Sequence, residues 1–207
     1  MIFFFSFSGN HEFDFGVDML EELRTQMNFP WFLSNVYDKF TLQTLGHGIE
    51  SRIIEWNGFR MGLMGLVEEE WLDTLGTMDK ANIDYIDYVV VADRLSKELR
   101  ESGAELIIAL THMRWSHDIR LAMEAKSLDL ILGGHDHEYG AREVNGIWIV
   151  KSGSEFRHLS RIDIRRKAHM TYEYSVERKD ILKDIDEDQV IKTIVDKYNN
   201  NIQVHLC

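Results

Sequence analysis

Two continuous apolar runs, residues 105–112 (ELIIALTH) and 128–135 (LDLILGGH), flank a helix-patterned stretch over 116–126, and both runs end on histidine. An apolar run without alternation marks a strand covered on both faces. Strand, helix, strand in that order predicts a right-handed crossover with parallel pairing, which restricts the chain to an α/β architecture. The flanking sequence adds antiparallel pieces. Asn57-Gly58 and Asn145-Gly146 each lie between strand-like runs and predict type I′ hairpins, and residues 158–166 (HLSRIDIRR) alternate like a strand with one wet face. The expected sheet is therefore mixed. Residues 83–102 carry Ile86, Val89, Val90, Leu95 and Leu99 on a helical period that Gly103 ends. Val17, Leu20, Leu23 and Met27 predict an amphipathic helix over 16–28, with Asp14 placed to cap it. Residues 29–36 read as one short strand and 187–198 as a last amphipathic helix, after which NNNIQVHLC has no assignable pattern.

A chain of 207 residues accommodates one domain with a short extension. With 23 Lys plus Arg against 35 Asp plus Glu, the formal net charge of −12 argues against nucleic acid or an anionic lipid surface as partner. A phosphate group handled by so acidic a protein needs a local device such as a metal ion. The single cysteine, Cys207, excludes an internal disulfide framework and a cysteine-only zinc site, and favours a reducing compartment such as the cytoplasm. No apolar run approaches the ~18 residues of a membrane span, and MIFFFSFS has neither the basic leader nor the length of a signal peptide. Because Phe codons are pyrimidine-rich, FFFSFS also reads as a translated pyrimidine tract, which makes residues 1–8 a non-native leader; the alternative is a native apolar strand.

Polar, metal-competent side chains sit where apolar strands end: Asn10-His11 with Asp14, His112, and His135-Asp136-His137. In open α/β sheets ligands bind at the carboxyl ends of the strands. His112 and His135 close successive parallel strands, so both rings can reach one crevice. Gly133 and Gly134 allow a tight turn and remove side chains that would crowd it. In an extended segment His135 and His137 share a face while Asp136 points away. Imidazole and amide donors suit zinc, manganese, iron, cobalt or nickel better than calcium. Any one such histidine is more simply a hydrogen-bonded loop residue; several at neighbouring strand ends favour a metal site. A histidine three residues before an aspartate can give one ring nitrogen to the carboxylate, which fixes the direction of the other. His47, His158, His169 and His205 lack convergent partners. Arg114 reads as an exposed loop arginine, and Asp118 as a first-turn helix acid.

GNHEFDFG (9–16), LTHMRW (110–115), GGHDH (133–137) and IVKSGSEFR (149–157) together resemble the calcineurin-like metallophosphoesterases, in their 5′-nucleotidase branch. The resemblance runs from Gly9 to about Arg166. It implies a sandwich of two mixed sheets flanked by helices, here without its N-terminal strand region. It also implies a dinuclear divalent-metal centre that hydrolyses a phosphoric monoester, such as a nucleotide, with activated water. Carried over by motif, Asn10, His112 and His135 resemble ligands of one metal and His137 a ligand of the other. His11 resembles the catalytic histidine and Asp14 its orienting carboxylate. The family's Asp-x-His and its Gly-Asp with a bridging aspartate do not occur ahead of Asn10, so dinuclear binding and activity are expected to be absent from the chain as written. Residues 9–166 then form a partial metallophosphoesterase domain, and 167–207 an extension toward a second domain. The reading from another class is a catalytically inactive remnant that binds or regulates.

Overall fold

A computed structural model of the chain describes residues 6, 7, 9–167 and 171–205. The first half contains β1 (Ser6–Phe7), α1 (Val17–Arg24), β2 (Trp31–Phe32), β3 (Val36–Asp38), β4 (Ser51–Trp56), β5 (Phe59–Val67), β6 (Ile83–Tyr85) and α2 (Tyr88–Glu101). Then follow β7 (Leu106–Met113), α3 (Trp115–Glu124), β8 (Leu130–His135), β9 (Tyr139–Val144), β10 (Ile147–Ser152), β11 (His158–Arg166), β12 (Tyr172–Asp180) and α4 (Gln189–His205). Cys207 lies outside the described residues, as do Met1–Phe5 and Ser8 of the apolar leader.

The central sheet has the order β4-β5-β7-β8-β10-β9. Its middle strands β5, β7, β8 and β10 run parallel, and β4 and β9 pair antiparallel at the two edges. Both edge strands come from the Asn-Gly hairpins. Asn57 and Gly58 hold φ of 47° and 77°, and Asn145 and Gly146 hold 52° and 79°, so both central residues of each turn are left-handed as a type I′ turn requires.

The continuous apolar runs are buried on both faces. Ile107, Ala109 and Met113 of β7 pack with Ile131, Ile149 and the inner faces of α2 and α3. Ile108 and Leu110 point the other way and meet Leu130, Val150 and the hairpin β11–β12 through Ile162, Ile164, Tyr174 and Val176. The result is an α/β sandwich with a mixed central sheet under two helices, covered on its far face by the two-stranded pairs β1–β2 and β11–β12. A third cluster around Phe13, Trp31, Leu45 and Trp71 anchors the segment that follows Gly9.

Four local expectations change. Residues 83–102 begin as a strand: Ile83–Tyr85 pairs with β3, and the helix starts at Tyr88 because Asp87 caps it by accepting from the Val89 amide. Residues 29–36 split into two strands, with Ser34 and Asn35 buried between them; the Asn35 side chain bonds Val67 O, Ile86 O and the Val67 amide. Asp14 does not cap α1, whose N-cap is Gly16 without a side-chain bond. The last helix runs through the asparagines to His205. Hairpin β11–β12 pairs over its full length, His158–Asp180 to Arg166–Tyr172.

Candidate metal and phosphoester site

The parallel register sets the site. On β7 and β8 Thr111 lies opposite Gly133, His112 opposite Gly134 and Met113 opposite His135. Side chains alternate along β7, so Thr111 faces the helices and His112 the opposite side. There His112 Nε2 and His135 Nδ1 lie 3.2 Å apart, with the rings edge to face. His135 reaches this position with φ of 74°, a left-handed conformation that costs a side-chain-bearing residue about 1–3 kcal/mol and is maintained by its surroundings.

A cleft of about 640 Å³ opens over these rings, lined by Asn10, His11, His112, His135, Asp136 and His137 together with Gly134, Gly153 and Ser154. The segment carrying Asn10 is held close: a methyl group on Gly9 would approach the His112 ring to 3.2 Å. His11 sits on a 3-10 turn, exposed, with Nδ1 2.9 Å from Asp14 Oδ2. The cleft thus gathers all five motif residues other than Asp14, which touches it through His11. His137 lines the cleft but does not join the pair as a tight triad. Among the described residues, the three-donor group of His, Cys, Asp or Glu atoms within 4.8 Å of one another is Glu68, Glu70 and His117. That group lies under Arg114, whose guanidinium already pairs with Glu68 at 2.8 Å and Glu70 at 2.6 Å. Arg114 is therefore an anchored residue and not a free loop arginine.

Burial lowers the His112 pKa to about 4, helped by the neighbouring His135, Lys151, His11 and His137. The ring is neutral near pH 7 and keeps a lone pair for a metal. The sign for stability follows: the unfolded ring takes a proton near pH 6.5, the folded ring near pH 4, so falling pH through that window favours unfolding. In metal-free buffer, denaturant titrations of the wild type should lose stability between pH 6.5 and 4 relative to His112→Gln, and equal slopes would contradict the buried neutral ring.

Sequence reasoning missed what lies beneath the cleft. Asp118 is the first-turn acid of α3, as expected, but it is fully buried; its Oδ1 accepts from Thr111 Oγ1 at 2.6 Å. Its Oδ2 lies 2.9 Å from Nζ of Lys151, which is itself fully buried. Burial pushes the Asp118 carboxyl up to about 6, against the pull of Lys151 and Thr111. Lys151 stands opposite Gly133 in the β8–β10 register, and a methyl group there would meet Lys151 Cε at 2.9 Å and Asp118 Oδ2 at 3.0 Å. Gly133 thus makes room for an ion pair, not for the cleft. Gly133→Ala is expected to destabilise the protein by roughly 1–3 kcal/mol, as overpacking does; an unchanged midpoint in urea would show that the pair moves aside freely. The overlooked signal was the alternation Ile147, Ile149, Lys151, which puts a lysine on the inward register of β10.

The fold and cleft define an α/β sandwich whose imidazoles converge at the carboxyl ends of parallel strands. The model of the calcineurin-like phosphoesterases (Metallophos) matches residues 3–139, well over half of the chain, and the chain belongs to that family. It is 31% identical over 143 residues to a 5′-nucleotidase of Vibrio vulnificus, covering 63% of this chain and 26% of the relative. It is 28% identical over 133 residues to an apyrase of Tabanus yao, covering 63% and 24%. The chain therefore spans about a quarter of the length of these relatives. The fold superimposes on a 5′-nucleotidase precursor from Thermus thermophilus with a TM-score of 0.85 at 19% identity, covering 97% of this chain and 43% of that one. No helix among the described residues is long and apolar enough to cross a membrane.

Proposed function

We propose that the chain carries the cleft of a metal-dependent phosphoric monoester hydrolase that acts on a small phosphate ester, a 5′-nucleotide being the substrate favoured by the names of the 5′-nucleotidases it resembles. The observation that carries this reading is the pair of imidazole nitrogens 3.2 Å apart at two parallel strand ends. Two nitrogens each ~2.0–2.1 Å from a tetrahedral zinc lie about 3.3 Å from one another. The donor set therefore fits one borderline divalent ion held by His112 and His135 with Asn10 beside them, while His137 is the donor offered to a second. When bound, such ions neutralise phosphate oxygens and lower the pKa of water toward ~7.

The chain's own residues do the rest. His11, its Nδ1 directed at Asp14, presents Nε2 to the leaving-group oxygen and, in its doubly protonated form, supplies the proton there and is left as the neutral ring. His112, kept neutral by burial, adds no competing positive charge of its own at neutral pH. Gly134 and Gly153 leave the cleft wall without side chains, which admits a phosphate ester.

The test is turnover of AMP and p-nitrophenyl phosphate with manganese, cobalt or zinc. Wherever turnover is measured, His11→Asn should lower kcat by roughly 10²–10⁴-fold with metal content unchanged, the range of a general acid. Parallel loss of metal and activity would make His11 a ligand. A second reading, an inactive remnant that binds phosphate esters, is favoured by one observation: Asp136, the carboxylate lining the cleft, is taken up by Lys151 and the Trp115 amide. Metal binding without hydrolysis above the blank would support it.

A further inference from the structure

We propose that Lys151 is a positioning residue that sets the spacing of His112 and His135 from below. Its ammonium is fully buried and its three protons have three acceptors: Met113 O at 2.5 Å, Gly134 O at 2.9 Å and Asp136 Oδ2 at 2.7 Å. Each acceptor is one residue away from a cleft histidine. Met113 follows His112, Gly134 precedes His135, and Asp136 stands between His135 and His137. The counter-charge is placed by the same rule. Asp118, 2.9 Å from Nζ, is bonded to Thr111, the residue before His112. Asp136 is fixed a second time by the Trp115 amide at 2.8 Å, and the Trp115 ring covers the ammonium at 5.1 Å from its centroid.

The arrangement answers two physical questions at once. An ammonium removed from water needs all its protons and its charge satisfied, and here it is satisfied by the carbonyls that end β7 and β8. The left-handed backbone of His135 needs surroundings that over-determine it, and the Gly134 and Asp136 contacts hold both of its flanks. A strand of the neighbouring pair, β10, thus reaches across β8 to tie the two histidine-bearing ends together. Groups that orient metal ligands typically change affinity by about 10–100-fold when removed.

The inference rests on the reading that His112 and His135 hold an ion, and the experiment separates the two. In the full chain, Lys151→Met is combined with Asp118→Asn, so that no buried charge is stranded between them. Amide hydrogen exchange is followed in metal-free buffer, and zinc affinity is measured by competition with a chromophoric chelator. The expected result is exchange at residues 134–138 faster by about tenfold or more, exchange in β5 and the start of β7 unchanged, and zinc binding weakened about 10–100-fold. A purely structural role would raise exchange throughout the sheet, and that outcome overturns the proposal, as does unchanged exchange at 134–138 or unchanged zinc affinity. If the wild type binds no zinc, the metal reading is what fails, and the exchange pattern still decides the clamp. Should the double variant not fold, Asp136→Asn at the edge of the network replaces it, with the same local pattern expected and its absence equally decisive.

Discussion

Replacing His112 or His135 with Ala should weaken zinc or manganese binding by more than about 100-fold, with the fold retained. The bound is set by comparison: removing a group that only orients a ligand already changes affinity by about 10–100-fold, and these two rings are proposed to be the ligands. Neither substitution strands a buried charge, because His112 is neutral in the folded protein and His135 is exposed. Circular dichroism should therefore stay native while calorimetric titration loses its zinc isotherm. His11→Asn is the internal control, since that ring bonds Asp14 on an exposed turn. Equal loss in all three variants, or in none, contradicts the assignment.

Asp118→Ala should be strongly destabilising. It removes one counter-charge and leaves a fully buried lysine with Asp136 alone, together with an unpartnered Thr111 hydroxyl. Breaking a buried pair by deleting one partner costs about 3–5 kcal/mol. At roughly 2–4 °C per kcal/mol for a chain of this size, the melting temperature should fall on the order of 10 °C. Exposed ion pairs give the contrast: Lys97 with Glu101 on the surface of α2 lies 4.0 Å apart with both side chains well exposed, and truncating either should fall within about 1 kcal/mol of wild type. A small shift for Asp118→Ala would mean that water reaches Lys151.

Much of the architecture was legible because its causes are local or periodic. The apolar runs at 105–112 and 128–135 fixed two buried parallel strands, and each Asn-Gly fixed a hairpin and an antiparallel edge. Elsewhere a neighbour in space decides. Ile83–Tyr85 has helical periodicity in common with the residues after it, yet pairs with Val36–Asp38, a partner far away in sequence. Of the two roles open to Asp14, cap of α1 or partner of His11, it takes the second, the one that the three-residue spacing to His11 points to. The histidines were visible because each ends an apolar run. The burial of Asp118 is not legible in the sequence because a first-turn helix acid is ordinarily exposed, and only the register of Lys151 against Gly133 reveals what it faces.

The central claim is that a divalent ion sits between the ends of β7 and β8. Crystals grown with zinc and measured on both sides of its absorption edge test this directly. An anomalous peak is expected within coordination distance of His112 Nε2 and His135 Nδ1. No peak there, or a peak only at Glu68, Glu70 and His117 with Arg114 displaced, would contradict it.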